Sequence, residues 1–233
     1  MDLMKQIKIE NNLIIEKIKR GGYTYFLNNK RIEIIASFLK KENIIYNIFY
    51  PFNGATYGII YTNKPPASLL KINTKSPLTH SMILGSIMAL NIKNDIVGDI
   101  IIDKNYYVVV MEHMKNYLIN NLLQVGRENV DLEEVSFDEV KDYEIPYSNI
   151  TITVSSLRID VVIACIIGTS RGMVLEKFKN KEIFLNYNIL NKINYNLKEE
   201  DVFSIRGYGK YKFTRNISKS KKDKYIIECM KYK

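Results

Sequence analysis

The sequence predicts an α+β protein with two domains. The chain has 233 residues, which is long for one domain and suits two. Its apolar residues follow a helical period in some stretches and alternate as in strands in others, and the two kinds of stretch are interspersed. Its charge is uneven, because a basic C-terminal end follows a body of no net charge. A hydrophobic content of 46% supports packed cores.

Residues 1–43 are predicted to form two helices that precede the first domain. Apolar residues recur at helical spacing over residues 2–20, and Gly21-Gly22 ends this stretch. A second helix is expected over residues 29–41. Its apolar face comprises Ile32, Ile35, Phe38 and Leu39.

Residues 44–145 are predicted to form a mixed α/β domain of the ferredoxin or RNA-recognition type. From Ile44 the apolar residues alternate, which predicts three strands in succession. Thr79 is suited to cap a helix that runs to residue 90. A hairpin over residues 98–112, a helix over 113–124 and a strand near 129–136 complete the expected order.

Residues 151–233 are predicted to form a second domain, which opens with two short helices. Ser156 is suited to cap the first, in which five apolar residues from Ile159 to Ile167 form a buried stripe. Gly168 is expected to end it, and Ser170 to cap the second helix. A strand comes next, in which Ile183 and Leu185 alternate with Glu182, Phe184 and Asn186.

Residues 151–233 also carry the whole excess of positive charge. They contain 17 lysines and arginines against 8 acidic residues, whereas the first 150 residues contain 17 of each. An acidic stretch from Glu133 to Glu144 separates the two parts. A neutral body with a basic end indicates a polyanion as partner, and the acidic stretch is expected to point away from it.

The candidates for RNA contact are polar and basic side chains of residues 151–233. Arg171 lies near a predicted helix N-terminus, where backbone N–H groups attract an anion. Lys177 and Lys181 are predicted to lie one helical turn apart and to follow successive phosphates. Basic residues from Arg206 to Lys212 alternate with apolar ones, which predicts one cationic face and one packed face. The full set is Arg158, Ser170, Arg171, Lys177, Lys179, Lys181, Asn186, Arg206, Lys210 and Lys212.

Aromatic residues lie close to these cations in the sequence. Phe184, Tyr187 and Tyr208 are candidates for stacking on RNA bases, and packing in a core or hairpin is the competing interpretation. The lysine-rich segment 219–224 is a candidate for a flexible loop that clamps a phosphate. Contacts of this kind recognise the shape and backbone of structured RNA.

No motif in the sequence indicates catalysis, a metal site or a cofactor. His80 and His113 have no cysteine or carboxylate at metal-ligand spacing, and no phosphate-binding or dinucleotide loop occurs. Cys165 and Cys229 are expected to be small core residues in a reducing cytosol. The longest apolar run, residues 161–167, is far shorter than the ~20 residues of a membrane span, so a cytoplasmic protein without a small-molecule substrate is expected.

Residues 155–212 resemble the RNA-binding domain named for the fourth small-subunit ribosomal protein, here called the S-four domain. That family has an R-L-D opening, an S-R cap, a basic helix, a V-x-V-N-G strand and a closing D-x-I-x-V-R-G. The matching segments are Arg158-Ile159-Asp160, Ser170-Arg171, Glu176–Lys181, Ile183–Tyr187 and Asp201–Gly207. The resemblance implies an RNA-binding domain over residues 151–233.

Two positions depart from the S-four pattern. Asn180 stands where the family has the glycine that ends the second helix, and asparagine tolerates the left-handed conformation required there. Tyr187 replaces the glycine after the asparagine, which is expected to reshape a turn. Asp160 also resembles the catalytic aspartate of pseudouridine synthases, but those enzymes need a large domain after it. A local pairing of Asp160 is therefore expected.

Residues 78–103 resemble the L-T-H…L-G…G-D-I stretch of the YlmH-like bacterial proteins, which pair such a domain with a C-terminal S-four domain. The segments around residues 125–140 and 153–160 match the same family, so the resemblance covers roughly residues 26–225. The loop at residues 62–66 departs from the family, since it holds Lys64 in place of a cluster of basic residues. RNA contact by that loop is not expected.

The YlmH-like resemblance implies a non-catalytic, ribosome-associated protein. Such proteins bind rRNA and tRNA on the large ribosomal subunit, act on stalled complexes that carry peptidyl-tRNA, and have been linked to cell division. Two other functions stay open at this point. One is an RNA-modifying enzyme with an active site in residues 44–136, and the other is an adaptor protein of the division machinery.

Overall fold

The computed structural model describes residues 3–232, with side chains from Glu10 to Tyr232. The chain divides into two compact units, Met1–Glu144 and Ile145–Lys233. The α-helices of the described residues are α1 Leu3–Lys19, α2 Asn29–Lys41, α3 His80–Ala89, α4 Lys115–Asn121, α5 Ile159–Ile166 and α6 Arg171–Lys179. The strands of the first unit are β1 Leu27–Asn28, β2 Asn47–Phe49, β3 Tyr57–Tyr61, β4 Ala67–Asn73, β5 Val97–Ile102, β6 Tyr106–Met111, β7 Gln124–Val125, β8 Glu128–Asn129 and β9 Asp131–Val135. Those of the second unit are β10 Tyr147–Val154, β11 Ile183–Leu185, β12 Asn188–Ile189, β13 Val202–Ile205, β14 Gly209–Lys219 and β15 Tyr225–Tyr232.

Helices α1 and α2 pack with a small antiparallel sheet of strand order β1-β3-β2. The side chain of Asn28 caps α2 by accepting a hydrogen bond from the backbone N–H of Arg31 at 3.0 Å. The predicted bounds of α2 are confirmed, and Ile32, Ile35 and Leu39 are buried. The prediction that Phe38 belongs to the same face is wrong, since its side chain is 46% exposed.

The order β4-α3-β5-β6-α4-β9 is that of a ferredoxin-like or RNA-recognition domain. The strands lie in the order β5-β6-β4-β9, and every neighbouring pair is antiparallel. Apolar residues of α3 and α4, including Ile83 and Leu118, pack on the sheet against Leu70, Ile72 and Val108. The predicted topology is therefore confirmed.

Local residues set the start of α3 and the turn of the small hairpin after α4. The Thr79 hydroxyl accepts a hydrogen bond from the backbone N–H of Met82 at 3.3 Å, as the sequence predicts. The helix expected over residues 113–124 is shorter, because α4 ends at Asn121 and the hairpin of β7 and β8 comes after it. Gly126 turns this hairpin with a φ of +63°, a conformation that favours glycine.

The face of this four-stranded sheet that points away from α3 and α4 is also covered. Leu69, Val109 and Met111 are fully buried. The carboxylate of Asp99 on β5 accepts hydrogen bonds from the backbone N–H groups of Thr56 and Tyr57, at 3.1 and 3.0 Å. The segment before β3 thus lies against the sheet, so this domain has no open face for stacking bases as RNA-recognition domains do.

The acidic stretch begins within this sheet and is not a separate linker from Glu133 onward. Glu133 and Glu134 lie on β9, paired with Lys71 and Leu70 of β4. Glu134 also forms an ion pair with Lys115 at 2.7 Å. The hydrogen bond from Lys115 lowers the pKa of Glu134 below its ordinary value.

The second unit is a six-stranded antiparallel sheet with α5 and α6 on one face. The strand order is β10-β15-β14-β13-β11-β12. Its core joins apolar residues of both helices and five strands: Val154, Ile159, Val162, Ile163, Ala164, Val174, Phe178, Ile183, Leu197, Phe203, Ile205, Tyr211, Phe213, Ile227 and Cys229.

Several sequence predictions in this unit are confirmed and others are corrected. Helix α5 begins at Ile159 with Arg158 at its N-cap position, so the prediction that Ser156 caps it is wrong. Gly168, with a φ of +64°, comes after the end of α5 as predicted. Ser170 caps α6, and its Oγ accepts a hydrogen bond from the backbone N–H of Met173 at 3.3 Å.

The two cysteines have different environments. Cys165 is exposed, so its predicted place in the core is wrong. Cys229 is buried on β15, and burial raises the pKa of its thiol to about 12. Burial at that pKa disfavours the reactive thiolate form.

Residues 3–232 contain no helix that is long and apolar enough to cross a membrane. Over the same residues, no three His, Cys, Asp or Glu side chains come together in a group able to hold a metal ion.

Candidate nucleic-acid interface

The predicted contacts Arg158 and Arg171 converge on one buried carboxylate, that of Asp160. The Nε of Arg158 lies 3.1 Å from Oδ1 of Asp160, and the Nε of Arg171 lies 3.0 Å from Oδ2. Asp160 is fully buried at the start of α5, whereas the side chains of Arg158 and Arg171 are 38% and 56% exposed. The expected local pairing of Asp160 is confirmed, and both arginines stabilise the junction of α5 and α6.

The charge state of Asp160 is a consequence of this pairing. Burial alone would raise the pKa of the carboxyl group, but the hydrogen bonds and charges of Arg158 and Arg171 outweigh it and hold the pKa below its ordinary value. Two cations around one anion leave one net positive charge at the partly exposed guanidinium groups. Any attraction of this junction for an anion is therefore that of one net positive charge and not of two.

The end of α6 meets the turn between β13 and β14. The Nζ of Lys177 lies 3.0 Å from Oε2 of Glu182 and 4.9 Å from the centre of the Tyr208 ring. The backbone N–H of Arg206 donates a hydrogen bond to the carbonyl of Glu182 at 2.9 Å. The hydrogen bond from Lys177 lowers the pKa of Glu182, and the charge of Arg206 acts in the same direction.

Lys181 is not on α6, so the prediction that it follows Lys177 by one helical turn is wrong. The helix ends at Lys179, and Lys181 has a φ of +56°. Asn180, which stands where the family has glycine, has a φ of −78°, so the left-handed conformation expected there is found at Lys181 instead. The side chain of Lys181 is exposed beside Glu182. We call Lys177, Lys181, Arg206 and Tyr208 the helix-end cluster.

The lysines of α6 differ in how far their side chains are exposed. Lys177 is 19% exposed in its side chain, since it lies between Glu182 and Tyr208. Lys179 is exposed and forms an ion pair with Glu176 at 2.7 Å, which contributes about 0–1 kcal/mol to stability. The simultaneous replacement of Arg171, Lys177 and Lys181 would therefore disturb structural contacts as well as charge.

Asn186 lies in the two-residue turn between β11 and β12 and is held by protein atoms. Its amide donates a hydrogen bond to Oδ1 of Asp201 at 2.8 Å and accepts one from the backbone N–H of Val202 at 3.1 Å. Asn186 and Tyr187 have φ values of +48° and +67°, which is the pattern of a type I′ turn. The turn expected to be reshaped by Tyr187 thus keeps the geometry that asparagine-glycine favours.

Lys210 and Lys212 lie on the opposite face of the sheet from α5 and α6. Tyr211 and Phe213, which alternate with them on β14, are buried in the helix-side core. The predicted separation into a cationic and a packed face is confirmed for these strand residues. Arg206, however, lies in the turn before β14 and belongs to the helix-end cluster.

The predicted RNA-binding residues therefore do not form one continuous surface. The junction of α5 and α6 carries Ser170 and the two arginines, and the helix-end cluster lies at the other end of α6. Lys210 and Lys212 lie across the sheet. Sequence spacing could not show this division, because it depends on which strand of the sheet neighbours which.

The predicted loop at residues 219–224 is the closed end of a hairpin. Strand β14 reaches Lys219, and the backbone N–H of Ser220 donates to the carbonyl of Lys224 at 2.7 Å. Lys219 forms an ion pair with Asp223 at 2.7 Å. Three further lysines of this turn are exposed: Lys221, Lys222 and Lys224.

The first unit contains a polar pocket of about 230 Å³ at one end of its four-stranded sheet. The Tyr107 hydroxyl donates a hydrogen bond to Oε2 of Glu139 at 2.8 Å, and Asp103 lines the same pocket. Burial and the hydrogen bond with Glu139 raise the pKa of Tyr107. Two carboxylates beside a protonated phenol disfavour the entry of a phosphate group.

Comparison with known proteins agrees with the fold and with the order of segments. Residues 68–139 match a family model described as "Putative RNA-binding domain in YlmH". These residues are the βαββαβ domain of the first unit, and they hold six lysines and arginines against ten aspartates and glutamates. The RNA-recognition topology is therefore present in a segment with a net negative charge.

A relative from Bacillus subtilis (strain 168), "Ribosome-associated protein quality control protein P2", is 31% identical over 152 residues. The match covers 64% of this chain and 58% of the relative, so it spans less than two thirds of that protein's length. A solved structure, "Cell division protein ylmH from Streptococcus pneumoniae", has a TM-score of 0.52 at 18% identity. It covers 61% of this chain and 97% of that one, and it shows a shared fold. The resemblance to YlmH-like proteins is confirmed.

Proposed function

We propose that this YlmH-like chain is a non-catalytic RNA-binding protein of the ribosome. Residues 151–233 act as its S-four-type RNA-binding domain, and rRNA and tRNA on the large subunit are its ligands. Its role on this proposal is quality control of stalled complexes that carry peptidyl-tRNA. The description of the matched family and the name of the Bacillus subtilis relative support RNA and the ribosome as partners.

The distribution of charge carries the proposal. The second unit has 17 basic and 8 acidic residues, and seven of its described basic residues form ion pairs. Lys181 and Arg206 are exposed beside a helix end and a strand turn, without an ion pair among the described residues. Such a surface favours phosphate groups held at the spacing of a folded RNA.

The first unit contributes a different kind of surface. Its βαββαβ domain is net negative, and the sheet face that would stack bases is covered by the segment before β3. We infer that the first unit meets a protein or an RNA surface through loops and helices, while the second unit supplies the attraction to phosphate.

Sucrose-gradient fractionation of cell extract tests the ribosomal part of the proposal. The protein is expected with free large subunits that carry peptidyl-tRNA, more than with translating ribosomes, when stalled subunits are accumulated by an inhibitor. A protein of unrelated function and similar size serves as the control. Recovery with small subunits alone, or with no ribosomal fraction at low salt, would contradict the proposal.

The alternative hypothesis, an RNA-modifying enzyme, needs a separate test. The polar pocket of the first unit lies partly within residues 44–136, the segment that this hypothesis assigns to the active site, and Tyr107 lines it. Mass spectrometry of rRNA and tRNA from cells with and without the gene is expected to show the same modified nucleotides. A nucleotide that is missing without the gene and restored by the purified protein would establish the enzyme instead.

A further inference from the structure

The face of the six-stranded sheet that points away from α5 and α6 is exposed along the edge strand β10 and half-buried at Tyr232, Lys210 and Phe184 of the inner strands. Along β10, the residues that point away from α5 and α6 are exposed, and those that point toward the helices are half-buried or buried. The exposed residues are Tyr147, Asn149, Thr151 and Thr153. The equivalent face of the sheet in the first unit is covered, so the chain has an open sheet face only here among its two larger described sheets.

Aromatic rings lie along one end of this open face. Tyr147 is paired directly with Tyr232 of β15, so both side chains point to the same side, and Tyr147 is 50% exposed. Phe184 on β11 is paired with Ser204 of β13, and Ser204 is paired with Lys210 of β14. The pairing therefore places Tyr147, Tyr232 and Phe184 on one line across the sheet.

A lysine lies between these rings. The Nζ of Lys210 is 4.6 Å from the centre of the Tyr232 ring and 5.7 Å from that of Tyr187. Lys210 therefore lies on the same side of the sheet as the rings of Tyr232 and Phe184, and its charge is close to the Tyr232 ring. The line therefore combines flat rings with a positive charge, which are the two elements of a surface for single-stranded nucleic acid.

We propose that this open face binds unpaired RNA nucleotides. Bases stack on Tyr147, Tyr232 and Phe184, and Lys210 contacts a phosphate group between them. Neighbouring strands are about 4.8 Å apart, so the line from Tyr147 to Phe184 extends over roughly 19 Å and offers room for two or three bases. The inference rests on the proposed function and adds to it a second RNA surface, across the sheet from the helix-end cluster.

The charge of this face favours RNA over a protein partner. Along β10 the face carries Tyr147 followed by short polar residues, and it belongs to the unit that holds the whole positive excess. Tyrosine and phenylalanine rings stack on every base, so the surface accepts unpaired nucleotides with little sequence preference. A loop or single-stranded end of rRNA or tRNA has this chemistry.

The test uses the full chain and an oligouridine of about ten nucleotides, a length that such surfaces bind. Tyr147→Ala is expected to weaken the binding of this oligonucleotide about tenfold, because one stacked base is lost. Tyr147→Phe keeps the ring and is expected to bind as the unchanged protein does. Tyr117→Ala removes a tyrosine of the first unit that is 42% exposed, and it is the matched control.

A second measurement does not depend on any variant. An oligonucleotide of the same length with abasic residues keeps its phosphates, so the unchanged protein is expected to bind it about tenfold more weakly than oligouridine. The difference is expected to shrink in Tyr147→Ala. Photocrosslinking with 5-iodouridine is expected to label the peptides that contain Tyr147, Tyr232 or Phe184.

Three results would overturn the inference. One is that folded Tyr147→Ala binds oligouridine with the same affinity as the unchanged protein. Another is that the unchanged protein binds the abasic oligonucleotide with the same affinity as oligouridine. The third is binding of a blunt-ended RNA duplex with no binding of oligouridine, which removes the open face as a site but leaves the proposed function in place. Binding of neither RNA would overturn both.

Discussion

At the scale of single residues, the buried charge of Asp160 depends on its two arginine neighbours. It is fully buried, and the described contacts of its carboxylate are with Arg158 and Arg171. A buried ion pair by itself adds little to the free energy of unfolding. Removal of one partner is costly, because the remaining charge has lost its counter-charge. Asp160 is therefore expected to stabilise the fold and not to contact RNA itself.

Replacement of Asp160 measures this dependence. Asp160→Asn is expected to lower the free energy of unfolding by about 3 kcal/mol at neutral pH, since both arginines lose their counter-charge. The folded state holds the pKa of Asp160 below its ordinary value, so the stabilisation is complete above the unfolded pKa, about 4, and is lost as the pH falls through the folded pKa. Urea unfolding at neutral and acid pH checks both expectations.

The control for this variant is an exposed carboxylate in the same unit. Glu176→Gln breaks the exposed pair with Lys179 and is expected to change the free energy of unfolding by less than about 1 kcal/mol. Equal losses for Asp160→Asn and Glu176→Gln would contradict the structural role assigned to Asp160. Retention of the full acid sensitivity in Asp160→Asn would contradict it as well.

At the scale of elements, α6 and the β13–β14 turn form the surface with the best exposed cations. Lys181 and Arg206 lie beside Glu182, and neither supports the core, whereas Lys177 packs on Tyr208. These two residues are therefore the better test of phosphate contact. Arg171 is a poor test, because it also pairs with Asp160.

The double variant Lys181→Gln, Arg206→Gln is expected to bind structured RNA more weakly and with a shallower salt dependence. Loss of two phosphate contacts lowers the slope of log affinity against log salt by about 2. The matched control is Lys40→Gln, Lys41→Gln, which removes the same charge from the exposed end of α2 in the first unit. Binding titrations over a range of salt concentrations measure both, and equal slopes in the two variants would remove the helix-end cluster as a contact.

At the scale of the whole molecule, the two units differ in charge far more than in size. The βαββαβ domain is net negative, and the second unit holds all of the excess of nine positive charges. Since non-specific RNA affinity depends mainly on phosphate contacts, the two units should bind RNA unequally. The sheet of the first unit is also closed to bases on the face opposite its helices.

Separate expression of the two units tests this difference. Residues 145–233 are expected to retain most of the affinity for structured RNA, and residues 1–144 to bind at least about tenfold more weakly at moderate salt. Circular dichroism of each fragment is the control for folding. Equal affinity of two folded fragments, or stronger binding by residues 1–144, would contradict the assignment of phosphate contact to the second unit.

Local sequence was sufficient for many elements. The side chains of Thr79 and Ser170 satisfy free backbone N–H groups at helix starts, and each caps its helix as predicted. The βαββαβ order also followed from periodicity, because each strand and helix carries its own apolar pattern. The difference in net charge between the two parts of the chain was evident from composition alone.

The tertiary structure decided where the functional side chains lie. Arg158, and not Ser156, is the N-cap residue of α5, and its guanidinium group pairs with the buried carboxylate of Asp160. Lys181 leaves the helix because the chain must turn into β11, and Phe38 stays outside because the sheet covers only part of α2. No local pattern contains these constraints.

The open sheet face is the clearest example of a site that local sequence patterns do not predict. Alternation along β10 indicates at most which of its residues share a side. Tyr147 and Tyr232 become neighbours only because β10 pairs with β15, at the far end of the unit. Lys210 then lies beside Tyr232 because β14 is the next strand. Local sequence determines which residues one element can present together, and long-range strand pairing determines which elements present them to the same ligand.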